Sequence, residues 1–143
     1  MIIYSDSLKN INTEKLQGFF VDWPNPPSPE IFLQLLNNSD YAVIAIDDNN
    51  GNVVGFITCI TDNVLTAYIP LLEVLPMYQK SGIGANLIRM VFEKFRHLYK
   101  IDLCCDQELQ DYYSRFGMIK VFGMTRVNYT NQSGHDYGMT GGG

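Results

Sequence analysis

The sequence predicts a mixed α/β (α+β) fold, with a mostly antiparallel central sheet flanked by about four helices. Three observations carry this. Residues 41–75 read as three consecutive strands joined by short polar turns, which makes an antiparallel meander. From Gly82 to about His97 the apolar residues Ile83, Leu87, Ile88, Val91, Phe92 and Phe95 recur at helical spacing with one buried stripe. Residues 99–105 then form a short apolar strand, so strand, helix and strand imply a right-handed parallel crossover.

The elements follow in order. Ile2, Ile3 and Tyr4 suggest a short first strand. Residues 13–22 read as a helix with Leu16, Phe19 and Phe20 on one face. The stretch Trp23-Pro24-Asn25-Pro26-Pro27-Ser28-Pro29 cannot be a helix interior or a central strand. Ser28 before Pro29 is a helix start, a cap residue followed by proline at the first helical position. The helix it opens carries Ile31, Phe32, Leu35 and Leu36 and stops in Asn37-Asn38-Ser39. Strands over 41–47 and 53–61 flank a hairpin turn in which Asn50-Gly51 supplies the positive backbone angles. A third strand, 64–75, is interrupted near Pro70. Past the crossover, Asp106 caps a last helix with Leu109, Tyr112, Tyr113 and Phe116 at i, i+3, i+4 and i+7, and Gly117 ends it. Residues 118–130 are strand-like. They suit closing the sheet within one chain or pairing with a second copy as a homodimer.

The chain has 143 residues, fitting one domain over 1–130 with a flexible, polar, Gly-rich tail at 131–143. Apolar residues make up 46% and aromatics 13%, which excludes disorder. No apolar run approaches the ~20 residues of a membrane helix, and nothing reads as a signal peptide. A cytoplasmic location is the expectation, with no membrane partner. The net charge of −5 argues against nucleic acid as a partner. That charge is uneven: residues 1–70 carry −6 and residues 71–143 carry +1. An anionic ligand therefore suits the second half and a cationic one the first. Cys59, Cys104 and Cys105 have no disulfide framework, and the two histidines, His97 and His135, have no zinc spacing, so no metal is expected.

The chemistry concentrates in Val74-Leu75-Pro76-Met77-Tyr78-Gln79-Lys80-Ser81-Gly82-Ile83-Gly84-Ala85. A strand ends, a tight loop follows, and a helix begins at its glycines. Such a loop aims backbone N–H groups and the positive end of the helix dipole at an anion. It is neither a P-loop nor a dinucleotide fingerprint, since Leu87 stands where a third glycine would be. A plain strand-to-helix turn is the alternative.

Val74-x-Pro76-x-x-Gln79-x-x-Gly82-x-Gly84 resembles the acyl-CoA pyrophosphate loop of the GNAT family, the GCN5-related N-acetyltransferases. The run from Leu109 to Met118, with Tyr112-Tyr113 and Gly117, resembles their second signature, and the element order over residues 2–130 matches. Gln79 stands where Arg is commoner, and Lys80-Ser81 where a Gly is frequent. The resemblance implies acetyl transfer from acetyl-CoA to a primary amine by direct attack in a ternary complex. The acceptor is a small amine, polyamine, amino sugar or peptide amine. A non-catalytic acyl-CoA-binding or sensing module, or a partner subunit, is the alternative.

The resemblance also assigns sites. Val74 and Leu75 lie where the pantetheine arm pairs with backbone. Gln79, Lys80, Ser81, Gly82, Ile83, Gly84 and Ala85 offer amides to the pyrophosphate, and Lys80 adds a charge or stays a solvated loop lysine. Tyr113 is placed near the sulfur as general acid or positioning donor, against a core tyrosine. Glu73 is the candidate base, with the alternatives that it orients the amine or faces the other side of the sheet. Asp62 and Asp22 are weaker bases and fit turn or cap roles. His97 reads as structural. The acceptor cleft is expected between Trp23 and Pro29.

Overall fold

A computed structural model of the chain describes residues 1–135. A six-stranded sheet is built from β1 (Ile2–Ser5), β2 (Tyr41–Asp47), β3 (Asn52–Thr61), β4 (Thr66–Ile69), β5 (Leu72–Val74) and β6 (Lys100–Leu103). The order is β1-β2-β3-β4-β6, with β5 also pairing to β3. All pairs are antiparallel except β4 with β6, which run parallel across the predicted crossover. Three α-helices accompany the sheet: α1 (Pro29–Asn38), α2 (Ile83–Lys94) and α3 (Gln110–Ser114).

Each face of the sheet covers its own core. Val43, Ala45, Ile57 and Cys59 pack with Leu87, Ile88 and Val91 of α2. Ala42, Ile44, Val53 and Phe56 pack with Phe32 and Leu36 of α1. Side chains two apart on a strand normally share a face, yet Val54 joins the α2 core and Phe56 the α1 core. A register shift in the β2–β3 pairing, at Ala45/Ile46, inserts one extra residue in β3 and switches the faces. Gly55 sits at this irregularity, where a Cβ would stand 3.1 Å from Ile83 Cγ2, so the missing side chain lets α2 settle on the sheet.

Local chemistry explains α1 as predicted: the Ser28 side chain accepts the Ile31 N–H, and Pro29 opens the first turn. Four expectations need correction. The helix over 13–22 does not form. Thr13–Lys15 make one 3-10 turn, and Gly18, Phe20 and Asp22 then take φ of 89°, 61° and 67°, which no right-handed helix contains. The spacing of Leu16, Phe19 and Phe20 reports burial under α1 instead. In the 47–52 turn only Gly51 has a positive φ (76°), and its N–H and that of Asn50 both return to Asp47 O. Asp106 precedes a 3-10 turn, Gln107–Leu109, without capping it through its side chain. Finally, residues 118–128 form no strand, because no ladder partner within the described chain meets them. Ile119, Val121, Phe122 and Met124 stay exposed.

After this segment Tyr129–Asn131 turn, and Asn25 N–H donates to Gln132 Oε1 at 2.9 Å. The part of the expected tail beyond residue 135 lies outside the described residues. Among those described, no helix is long and apolar enough to cross a membrane, and no cluster of His, Cys, Asp and Glu could hold a metal.

Candidate active site

The site arises where the third predicted strand divides. At Pro70–Leu71 the run from β4 to β5 breaks, so β4 continues beside β6 while β5 stays with β3. A gap opens between β5 and the chain that follows β6. Leu75 N–H reaches Val54 O at 2.8 Å and Thr58 N–H reaches Leu71 O at 3.0 Å. Antiparallel pairs alternate between bonded and non-bonded positions. Leu72 and Val74 are therefore non-bonded, and their N–H and C=O groups point away from β3 into the gap. The Val74 carbonyl accepts from Gln79 Nε2 at 3.0 Å.

The loop beyond β5 ends at α2 in the way the sequence indicates. Lys80 and Gly82 take φ of 63° and 88°. Gly82 is the N-cap of α2 in the left-handed region, and a Cβ there would meet nothing within 4 Å, so its lack of a side chain serves conformation and open approach. Asn86 N–H is the first to bond back, to Gly82 O. The N–H groups of Ile83, Gly84 and Ala85 precede it and have no intrahelical acceptor. Lys80, Ser81 and Gly82 are exposed, while the Ile83 side chain is buried in the core. A Cβ on Gly84 would lie 3.2 Å from the Tyr112 hydroxyl, so that glycine makes room for α3.

A cavity of about 670 Å³ fills the gap. Glu73, Gln79 and Tyr113 line it, with Trp23, Pro70 and Leu103–Asp106 as further walls. The two predicted catalytic residues thus share one chamber. The other predicted cofactor residues, Val74, Leu75 and 80–85, lie outside its lining, along β5, the loop and the start of α2. Burial pushes the Tyr113 hydroxyl up to about 12, with Cys105 and Tyr112 adding to the rise, so it stays a phenol at neutral pH. Tyr112 packs edge-on against Tyr113 and Phe116.

Glu73 faces the α1 side of the sheet, toward Phe20. Phe20 N–H donates to its two oxygens at 2.9 and 3.0 Å, and Val21 N–H reaches it at 3.4 Å. Burial raises its pKa above the usual carboxylate value, and those two amides partly offset the rise. The carboxylate ties the cleft wall, at Phe20 and Val21, to the strand beneath, where the flanking backbone of Phe20 and Asp22 has positive φ. Asp62 accepts the N–H groups of Val64, Leu65 and Thr66 and is held low by them, a turn role. His97 Nε2 meets Asn63 Oδ1 at 3.0 Å, away from the cavity. Trp23 packs edge-on against Phe20 while lining the chamber.

The walls at Leu103–Asp106 were not identified from the sequence as site residues. Their signal was positional, since they follow the C-terminal end of a strand in a parallel pair, where α/β sheets place their crevices.

The model of the acetyltransferase (GNAT) family matches residues 8–118, and the chain belongs to that family. It is an N-acetyltransferase, an enzyme of the acyltransferase class. It is 29% identical over 123 residues to an uncharacterised N-acetyltransferase, ycf52, of Pyropia yezoensis, covering 82% of this chain and 71% of that one. It superposes with a TM-score of 0.89 on a presumed acetyltransferase from Deinococcus radiodurans R1, at 36% identity over 92% of each chain. It also matches a chain of the NatC complex bound to Gag peptide and CoA, at a TM-score of 0.65 and 25% identity, over 85% of this chain and 86% of that one.

Proposed function

We propose that the protein transfers an acetyl group from acetyl-CoA to a primary amine by direct attack in a ternary complex. The observation that carries this is the chamber between β5 and the end of β6, with Glu73 and Tyr113 on its walls and Gln79, at the start of the loop that leads into α2, also lining it. The structure fits the cosubstrate in two respects. Gly82 leaves open space over the loop, and the amides of 83–85 have no helical acceptor. Gln79, Lys80, Ser81, Gly82, Ile83, Gly84 and Ala85 would hold the pyrophosphate through their backbone. Val74 and Leu75 would border the pantetheine arm, with Val74 pairing with it once Gln79 releases its carbonyl.

Acetyl-CoA supplies the activated acetyl group. The acceptor must attack as a neutral amine, although an alkylamine has an ordinary pKa near ~10.4. Glu73 would take or relay its proton, or hold the cleft wall that orients it. Attack forms the C–N bond, and collapse breaks the C–S bond. Tyr113 is a weaker acid than a thiol, whose ordinary pKa is about 8.5. It therefore suits a hydrogen bond that steadies the leaving thiolate, while the new ammonium carries the proton the sulfur takes up. Thiol release with acetyl-CoA and a panel of amines, with mass measurement of the acetylated product, tests the reaction. Release without any acetylated amine would reject it.

We further propose a homodimer. On the described chain Phe122 and Met124 are fully solvent-exposed, and β6 ends the sheet with only β4 beside it. Lys120 and Arg126 of this segment complement Asp106, Glu108 and Asp111, which follow β6, whereas Asp102 is already paired with Lys100. A reducing compartment, the cytoplasm, suits the unpaired Cys59, Cys104 and Cys105.

A further inference from the structure

Structural cysteines are normally buried and inert. Cys59 fits that description: it is fully buried in the α2 core, and burial pushes its thiol up to about 11. Cys104 and Cys105 do not. They follow Leu103, the last residue of β6, and both line the chamber, Cys104 exposed and Cys105 partly so. Tyr113 lines the same chamber, and Cys105 lies near enough to its hydroxyl to help raise it. On the acetyl-transfer reading above, that hydroxyl meets the CoA sulfur. A thiol of the protein and the sulfur of the cosubstrate are thus brought to one wall of one cavity. Nothing in the acetyl-transfer chemistry derived above uses a protein thiol.

We propose that Cys105 is a covalent capture site for oxidised CoA, a disulfide with CoA as one half. The inference rests on the acyl-CoA reading above and adds a modification of the same site. The Cys105 thiolate attacks the CoA sulfur. A new S–S bond forms between the two, and the old S–S bond breaks. The other half leaves with the electron pair as a thiolate and takes up the proton that Cys105 gave. Cys105 is oxidised, the departing thiol is reduced, and no further reagent is needed. Cys104 is badly placed to release the CoA by forming a disulfide with Cys105. Consecutive Cα atoms are ~3.8 Å apart, whereas a disulfide usually spans ~4.4–6.8 Å. The adduct therefore persists, fills the place of the cosubstrate and stops turnover until an external thiol reduces it.

Burial, Asp106, Cys104 and Glu108 raise the Cys105 thiol, which slows its attack on disulfides free in solution. A disulfide held by the strand–loop–helix unit gains from proximity instead. Selectivity for a CoA-bearing disulfide is therefore the signature. The probes are CoA disulfide and glutathione disulfide, each incubated with reduced protein and followed by intact mass and peptide mapping. The expected result is a single CoA on Cys105, added saturably and at least about tenfold faster than glutathione. Saturating acetyl-CoA blocks the addition, dithiothreitol reverses it, and the modified protein no longer binds acetyl-CoA in a calorimeter. Cys105→Ser takes up no CoA and Cys104→Ser still does, with circular dichroism confirming the fold of each. Equal rates with the two disulfides, addition at Cys104 or Cys59 instead, or addition untouched by acetyl-CoA would overturn the proposal and leave the acetyl-CoA site standing. If the unmodified protein binds neither acetyl-CoA nor CoA, the acyl-CoA reading fails and this inference with it.

Discussion

Glu73 and Tyr113 both meet the same chamber through burial, which favours the protonated form of each. For Glu73 the consequence has a definite sign. Its folded pKa lies above its unfolded value, so the native state binds the proton more tightly. The associated stability is fully present below the unfolded pKa and is lost as pH rises through the folded one. Glu73→Gln should therefore flatten the fall of unfolding free energy with rising pH just above the ordinary Glu range, as read by urea denaturation at several pH values. The rate has the opposite dependence, because the ionised carboxylate is the competent form whether it is a base or a tether for Phe20. The acidic limb of kcat/KM in the wild type should sit above the ordinary Glu pKa and vanish in Glu73→Gln. Loss of a base would lower kcat by about 100-fold or more. Loss of a tether would instead raise the acceptor KM, more in Glu73→Ala than in Glu73→Gln, since the amide oxygen can still accept from Phe20. Tyr113→Phe should lower kcat about 100-fold and leave the acetyl-CoA dissociation constant within about twofold. A kcat near wild type in stopped-assay kinetics would return Tyr113 to packing. The loop motif and the tyrosine pair were enough to bring Glu73, Gln79 and Tyr113 into view. The tie from Glu73 to Phe20 was not visible, because it spans 53 positions and depends on two residues with positive φ.

At the scale of elements, the sequence was most legible where periodicity and caps agreed. Ser28-Pro29 and the stripe of α2 each combine a local signal with a buried face; α1 formed as read, and α2 formed but ends at Lys94, short of the expected His97. Residues 13–22 had only the stripe. Gly18 and the left-handed Phe20 bend that segment over the sheet, and burial of Leu16 and Phe20 then produces the same spacing without a helix. Residues 118–130 show the converse limit, since alternation can propose a strand but only a neighbouring edge can make one. The start of α2 gives a sharp test. Gly82→Val places a β-branched side chain at φ 88° and over the open loop, so acetyl-CoA affinity should fall at least about tenfold with a strain cost of about 1–3 kcal/mol. Unchanged affinity by calorimetry would make the loop a plain turn. Gly55→Val probes packing alone. Its side chain would press on Ile83 and on the β5 backbone, and thermal unfolding should show a loss of about 1–3 kcal/mol.

The described chain is a sheet with two cores, and several of its irregularities gather around the gap beside β5. The break at Pro70–Leu71, the register shift beside Gly55 and the tether from Glu73 all lie around it. The apolar segment at 118–128 faces outward from this body. Sedimentation equilibrium should show a dimer that Phe122→Asp converts to a folded monomer, and a wild-type monomer at high micromolar concentration would contradict the proposed assembly. The central claim is that the strand–loop–helix unit from Val74 to Ala85 binds an acyl-CoA. Titrating the protein with acetyl-CoA in a calorimeter, and then with CoA, tests it most directly. The account predicts one saturable site with a dissociation constant in the micromolar range, about −8 kcal/mol at 1 μM, weakened at least about tenfold by Gly82→Val. Absence of binding at millimolar acetyl-CoA would contradict it.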